Sequence, residues 1–196
     1  MEKIKTPIIE TRLPTKYGTF QLTAYPGKLK NREIITLTMG TIEENILVRI
    51  HSECFTGDIL HSLRCDCGEQ LTLAMKKISK EKKGIIIYLR QEGRGIGLIN
   101  KLKAYNLQDK KMDTIEANNA LGFKSDLRNY KEAIKILKSL KIHKIKLMTN
   151  NPLKIKELEK AGFHIKQIPH NITPNKENLN YLRTKKYKMH HQLKVN

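Results

Sequence analysis

The order of local patterns along these 196 residues constrains the fold more than any single motif. Strand signals crowd the beginning: GTFQLTAYP (18–26), EIITLTMG (33–40) and NILVRIHSE (45–53) each carry β-branched and aromatic residues between turn signals. From there helices and strands alternate. Leu71, Ala74, Met75 and Ile78 recur at helical spacing toward Lys83, and Gly84 opens the apolar strand GIIIYLRQ. Tyr130, Ala133, Ile134, Ile136, Leu137 and Leu140 mark a helix, KIKLMTN (144–150) a strand, LKIKELEKAG (153–162) a helix and FHIKQIP another strand. The stretch ENLNYLRTKKYKMHHQ predicts a last helix whose basic residues face solvent or anions. Strands first and alternation later predict an α/β fold, a mixed β-sheet with helices layered on it and a strand-rich N-terminal part. The length fits one domain covering 1–196, without linker or internal repeat.

Charge narrows the partners. Lys and Arg total 38 against 19 Asp and Glu, a formal +19, which raises the question of a polyanion. Lys outnumbers Arg 30 to 8 and accompanies abundant Ile and Asn, the signature of A/T-rich codon usage rather than of a binding surface. Aromatic residues make up 6%, and neither an RNA-recognition signature nor a paired Cys/His finger is present, so a stacking platform for nucleic acid is not expected. A small anion is the better partner. No apolar run approaches the ~18 residues of a membrane span, and the first residues lack the apolar core of a secretory signal, so no membrane association and a cytoplasmic location are expected.

Three cysteines, Cys54, Cys65 and Cys67, fall in the turn-rich segment HSECFTGDILHSLRCDCGEQ. An odd number of thiols cannot pair off within one chain, and free thiols fit a reducing compartment. Any one of them alone would read as small core packing. Clustered among His, Asp and Arg, they read as ligands of one zinc ion whose fourth position is open, as in catalytic rather than structural sites. His51 or His61 as a fourth ligand would make the site structural instead. Three thiolates leave zinc with a net charge of −1 and acidify its water less than neutral ligands do, so the chemistry calls for an electrophilic carbon held close, such as that of a nucleobase ring.

A second constellation, Arg90 to Leu98 (RQEGRGIGL), follows a strand and precedes a helix. Alternate glycines let backbone N–H groups approach an anion, and the arginines can pair with phosphate oxygens. No GxxxxGK[ST] sequence is present, so the nucleotide would be a substrate rather than the fuel of an ordinary NTPase. Asp126 reads as the N-cap of the helix running to Leu140. Arg128 in its first turn would then oppose the helix dipole by ~0.3–1 kcal/mol, which suggests a phosphate contact. Thr149, Asn150, Asn151, Pro152 and Lys154 form either a second anion site or an ordinary turn and cap.

Together HSECFTGDILHSLRCDCGEQL, YLRQEGRGIGL, AYNLQD, DTIEANNALGF, DLRNY and LMTNNPLKI resemble the GTP cyclohydrolase II family over nearly the whole chain. The resemblance implies hydrolysis of GTP to formate, pyrophosphate and 2,5-diamino-6-(5-phospho-ribosylamino)pyrimidin-4(3H)-one, the first step of riboflavin biosynthesis. It implies one zinc per subunit on Cys54, Cys65 and Cys67, whose water attacks purine C8, and Mg2+ held mainly by the substrate triphosphate. Substrate contacts would come from Arg49, Ile50, His51, Ser52, Glu53, Gln70, Glu92, Gly93, Arg94, Thr114, Thr149 and Lys154. Arg128 would act on the α-phosphate, as nucleophile with Asp126 as proton acceptor or as electrostatic stabiliser. Tyr105 would lie near the reacting ring. A homodimer is implied as well. The family's usual KMGH near the C terminus is replaced by Lys188, Met189, His190 and His191, which bears on the tail rather than on the chemistry. Two other readings stand beside this one: a GTP-binding paralogue performing part of the reaction, separable by product mass, and a basic RNA-binding module with a structural zinc, separable by salt-steep RNA binding that GTP does not displace.

Overall fold

The structure, a computed structural model, describes residues 6–27, 32–124 and 126–195. Its strands are β1 (Ile9–Thr15), β2 (Gly18–Tyr25), β3 (Ile34–Met39), β4 (Ile46–Ser52), β5 (Gly84–Leu89), β6 (Lys144–Met148) and β7 (His164–Ile168). The helices are α1 (Phe55–Asp58), α2 (Cys67–Glu81), α3 (Leu98–Gln108), α4 (Thr114–Ala120), α5 (Lys131–Ser139), α6 (Pro152–Lys160) and α7 (Leu179–Tyr187), with a short 3-10 turn at Glu92–Gly95. The strands form one sheet in the order β1-β2-β3-β5-β4-β6-β7. Its β1-β2-β3-β5 side is antiparallel, whereas β4, β6 and β7 run parallel, so the expected mixed α/β sheet is what the chain forms.

The chain packs as two compact units. The first comprises the described residues up to His51, Leu71–Arg90 and Asn129–His170; the second comprises Ser52–Gln70, Gln91–Arg128 and the described residues from Asn171 onward. The first unit is the sheet with its covering helices. In β5 every residue but Tyr88 is buried, because successive side chains enter opposite faces that are both covered. Ile85 and Ile87 join Ile46, Val48, Ile50 and Leu147 under Ala133, Ile136, Leu137 and Leu158 of α5 and α6. Ile86 joins Phe20, Leu47 and Met148 under Ala74 and Ile78 of α2. Each fully buried isoleucine contributes about 1.5–3 kcal/mol by leaving water.

The second unit has little apolar interior of this kind. Leu182, Leu193 and Val195 form a small cluster, with Leu179 and Tyr181 packed against it.

Three elements differ from the sequence reading. Strand β1 carries no strong signal because IETRLPT is charged and contains Pro14; it is an edge strand with mostly exposed side chains, the setting in which a strand proline is tolerated. Helix α5 begins at Lys131 with Tyr130 as its N-cap, so Asp126 does not cap it and Arg128 lies ahead of its first turn. The last helix is α7 alone, shorter than the basic stretch implied. Among the described residues no helix is long and apolar enough to cross a membrane.

Candidate metal centre and anion-binding cleft

The three cysteines meet in the second unit. Cys54 immediately precedes the single turn α1, where its carbonyl accepts from Asp58 N at 2.7 Å and the Asp58 carboxylate accepts from Cys54 N at 3.0 Å. Cys67 is the first residue of α2. The sulfurs of Cys54 and Cys65 are 3.7 Å apart, and all three lie within 4.8 Å of one another. Sulfurs at ~2.3 Å from a tetrahedral zinc stand about 3.8 Å apart, so spacing and donor type both fit that ion. Among the described residues this candidate ligand group consists of the three cysteines alone, and His61 is an exposed residue on a left-handed turn. Two glycines make the convergence possible. A Cβ on Gly57 would stand 2.9 Å from Cys65 Sγ and 3.1 Å from Cys54 Sγ, and one on Gly68 would stand 2.1 Å from the Gly57 carbonyl oxygen.

The thiols are not electrostatically equivalent. Hydrogen bonds from Cys65 and Cys67, then the charge of Lys101, hold the Cys54 thiol far below its ordinary range. The same bond with Cys54, aided by burial, pushes Cys65 up to about 12, and Cys67 is likewise raised. Lys101 Nζ lies 3.1 Å from Cys54 Sγ and 2.9 Å from Glu92 Oε1. Burial opposes the Lys101 charge, but Cys54, Tyr105 and Glu92 outweigh it and the ammonium is held well above its usual range.

A cleft of the same unit opens over the cysteines and is lined in addition by Ser52, Glu53, Glu92, Gly93, Arg94, Lys101, Tyr105, Thr114, Asn118, Arg128 and Tyr181. On one side stands the glycine-rich turn. Gly93, Arg94, Gly95 and Gly97 all have positive φ, a conformation that costs a non-glycine residue of order 1 kcal/mol or more. Arg94 adopts it nonetheless, its carbonyl accepting from Leu127 N at 3.0 Å and its guanidinium 5.9 Å from the Tyr181 ring. Arg94 Nη1 is buried with no hydrogen-bond partner among the described residues. A strained arginine with an unsatisfied buried donor is the arrangement expected where an anion completes the site.

Arg128 and Asp126 form a forked pair, with Nε and Nη2 donating to the carboxylate at 2.9 and 2.6 Å. Asp126 also accepts from Arg128 N at 3.0 Å, an Asx turn that replaces the expected cap. Burial raises the Asp126 carboxyl, but the bonds and charge of Arg128 prevail and hold it below the usual carboxylate range. The Tyr105 hydroxyl is 3.1 Å from Thr56 Oγ1, and burial raises its pKa so that the phenol stays protonated. Thr114 opens α4, which Asp113 and Glu116 close with a reciprocal capping box. The Ser52 hydroxyl accepts from Gln91 at 2.9 Å, and Gln70 is buried, its amide donating to Asp66 at 2.6 Å.

The remaining residues singled out from sequence belong to the sheet unit. Arg49, Ile50 and His51 end β4, and Thr149 follows β6, the parallel neighbour of β4. Arg49 donates to the Met148 carbonyl at 3.0 Å, and buried Lys154 donates to the Ile50 carbonyl at 2.7 Å. His51 stacks on Tyr88 with ring centroids 5.4 Å apart. Asn151 caps α6 by accepting from Leu153 N, so the turn-and-cap reading of this segment holds. These side chains gather at the carboxyl ends of parallel strands, where α/β sheets place ligands.

Sequence reasoning passed over Lys101, Gly57 and the Asp66–Lys185 pair. Lys185 lies on α7, its ammonium 2.9 Å from Asp66, which sits between two of the cysteines; Lys188 pairs with Asp113 and Glu116. Of the basic residues expected to face solvent or anions, Lys185 and Lys188 are thus engaged with acids of the same unit, while Arg183, Lys188 and His190 are exposed. The one available signal was Asp66 itself, a carboxylate between two thiols, which burial would oblige to find a cation.

The first unit is a mixed α/β sheet, and the second carries three thiols at metal-ligand spacing and an arginine-bearing glycine turn. The GTP cyclohydrolase II family model matches residues 6–169, and the chain belongs to that family. It is 54% identical to the GTP cyclohydrolase-2 of Archaeoglobus fulgidus, covering 100% of this chain and 52% of that protein. It is 51% identical to the riboflavin biosynthesis protein RibBA of Endomicrobium trichonymphae, covering 98% of this chain and 49% of the relative. With the GTP cyclohydrolase-2 of Haemophilus influenzae it shares 49% identity, covering 98% and 91% respectively. The chain therefore spans about half the length of the first two relatives and most of the third. Among solved structures, a two-domain 3,4-dihydroxy-2-butanone 4-phosphate synthase from A. baumannii, RibBX, aligns with 85% of this chain and 40% of its own at a TM-score of 0.48 and 18% identity.

Proposed function

We propose that this chain hydrolyses GTP to 2,5-diamino-6-(5-phospho-ribosylamino)pyrimidin-4(3H)-one, formate and pyrophosphate, opening riboflavin biosynthesis. The observation that carries the reading is the cleft in which three thiols at zinc spacing share walls with Arg94 and Arg128. Cys54, Cys65 and Cys67 would hold zinc, which when bound supplies a Lewis acid able to activate water toward an electrophilic ring carbon. Tyr105, whose hydroxyl lies 3.1 Å from Thr56 Oγ1, would donate a proton or hydrogen bond to the purine. Arg94 offers its buried nitrogen to a phosphate oxygen.

For Arg128 we favour charge stabilisation over covalent attack. As a nucleophile it would have to give its proton to a carboxyl that its own bonds and charge hold below the usual carboxylate range, a strongly uphill transfer from a guanidinium. Kept protonated by Asp126, it remains a forked cation for the α-phosphate.

Ser52, Glu53, Gln70, Glu92, Gly93 and Thr114 are assigned to GTP on the family match, as are Arg49, Ile50, His51, Thr149 and Lys154 of the sheet unit. Magnesium belongs with the triphosphate. Residues 1–196 are read as one functional domain because the family match runs through segments of both units. A homodimer follows the family resemblance. A cytoplasmic location suits sulfurs that must stay reduced to bind metal.

The test is turnover of GTP with magnesium by zinc-loaded wild type and Cys54→Ser, with zinc content measured in both and products identified by mass. Wild type should release formate and pyrophosphate. Absence of both under zinc-replete conditions would sink the proposal, and a product that retains the ring carbon would point to a partial reaction.

A further inference from the structure

Lys101 occupies an unusual place for a cation. It lies in the first turn of α3, where the helix dipole disfavours positive charge, and it is 9% exposed. Such a position needs acceptors for the ammonium, and two are present, Cys54 Sγ at 3.1 Å and Glu92 Oε1 at 2.9 Å. Glu92 is itself fully engaged: Oε2 accepts from Phe55 N at 2.5 Å and Oε1 from Gly93 N at 2.6 Å. The ammonium therefore ties a metal-ligand sulfur to a carboxylate that grips the backbone directly after Cys54 and the turn carrying Arg94.

Resting on the metal-centre reading above, we propose that Lys101 is a positioning residue of that centre: bonded to Cys54 Sγ and to the Glu92 carboxylate, it offsets part of the negative charge of a three-thiolate zinc site and aligns Cys54 with the glycine turn. Three thiolates outcharge a divalent ion by one, and a buried cation bonded to one sulfur is what such a set needs in low dielectric. Lys101 touches neither the substrate nor the reacting atoms in this role, so its signature belongs in metal binding rather than in turnover alone.

The experiment compares full-length wild type, Lys101→Met, Lys101→Gln and Lys101→Arg, each stripped of metal and titrated with zinc against a chromophoric chelator, and with cobalt followed by its absorption. Outer-sphere partners of metal ligands typically alter affinity about 10–100-fold, and that loss is expected for Met and Gln. Arg, which keeps the charge, should recover most of it. The thiolate-to-cobalt charge-transfer band should move to lower energy in the neutral variants, because a sulfur relieved of its hydrogen bond gives up electrons more easily. Gln serves if Met does not fold. Zinc affinity within twofold of wild type and an unmoved cobalt band in a folded neutral variant would overturn the proposal. Failure of wild type itself to bind zinc would overturn the metal-centre reading instead.

Discussion

The two units solve the problem of an interior in opposite ways. The sheet unit buries aliphatic side chains on both faces of its strands, Ile85, Ile86, Ile87, Ile46 and Ile145 among them, and gains from each without a specific partner. The second unit buries Asp66 with Lys185, Glu92 with Lys101 and the thiols of Cys54 and Cys65, and its charged groups lose free energy on leaving water unless their partners are in place. An apolar interior tolerates variation in proportion to volume lost. A charged interior fails at single atoms, because each charge depends on one particular partner.

Predictions that break this contrast can be ranked. Removing a proposed metal ligand should have the largest effect: Cys54→Ser is expected to abolish zinc retention and lower formate release by at least about 10³-fold, since the three cysteines are the metal-ligand group found among the described residues. Pyrophosphate release, assigned to the arginines in the proposed function, should survive better, and parallel assay of both products tests whether the two chemistries separate. Next comes Lys185→Met, which leaves Asp66 buried without its cation and should cost about 3–5 kcal/mol in denaturant unfolding. Adding Asp66→Asn should return a good part of that loss; no recovery in the double variant would show that the pair acts by packing rather than by charge.

In the sheet unit, Ile87→Ala should cost about 2–5 kcal/mol through its cavity, while zinc affinity of the folded protein stays unchanged. Loss of zinc in that variant would erase the distinction drawn above. A smaller effect is expected at Asp126, whose pKa is depressed in the folded state. Its contribution is present above the unfolded-chain pKa of ~3.9 and is lost as pH falls through the lower folded value, so Asp126→Asn should flatten the acid limb of a stability–pH curve below about pH 4. The smallest effect belongs to an exposed pair. Lys146→Ala, which breaks the bridge to Glu81, should change stability by no more than about 1 kcal/mol, less in high salt.

What could be read from the sequence was local or periodic. The strands from Gly18 onward and the helices α2, α5 and α6 announce themselves through spacing, and two cysteines separated by Asp66 with Cys54 eleven residues earlier announce a metal site. Periodicity works because burial on a helix or strand repeats with the backbone. Edge strand β1 escaped because an exposed strand has no hydrophobic period to show. The Asp126 cap was misplaced because an aspartate two residues before an arginine can bond that residue's own backbone and guanidinium, an option that competes with capping and leaves no trace in spacing.

The sequence by itself therefore determined the order of most elements, the family and the identity of the three thiols. Only the tertiary structure decided which charges stand beside them. Lys101 and Cys54 are separated by 47 residues, and Lys185 and Asp66 by 119. Neither pair has a local signature, because the energy that selects them is the desolvation of one charge awaiting another, and it arises only once the chain has folded around both.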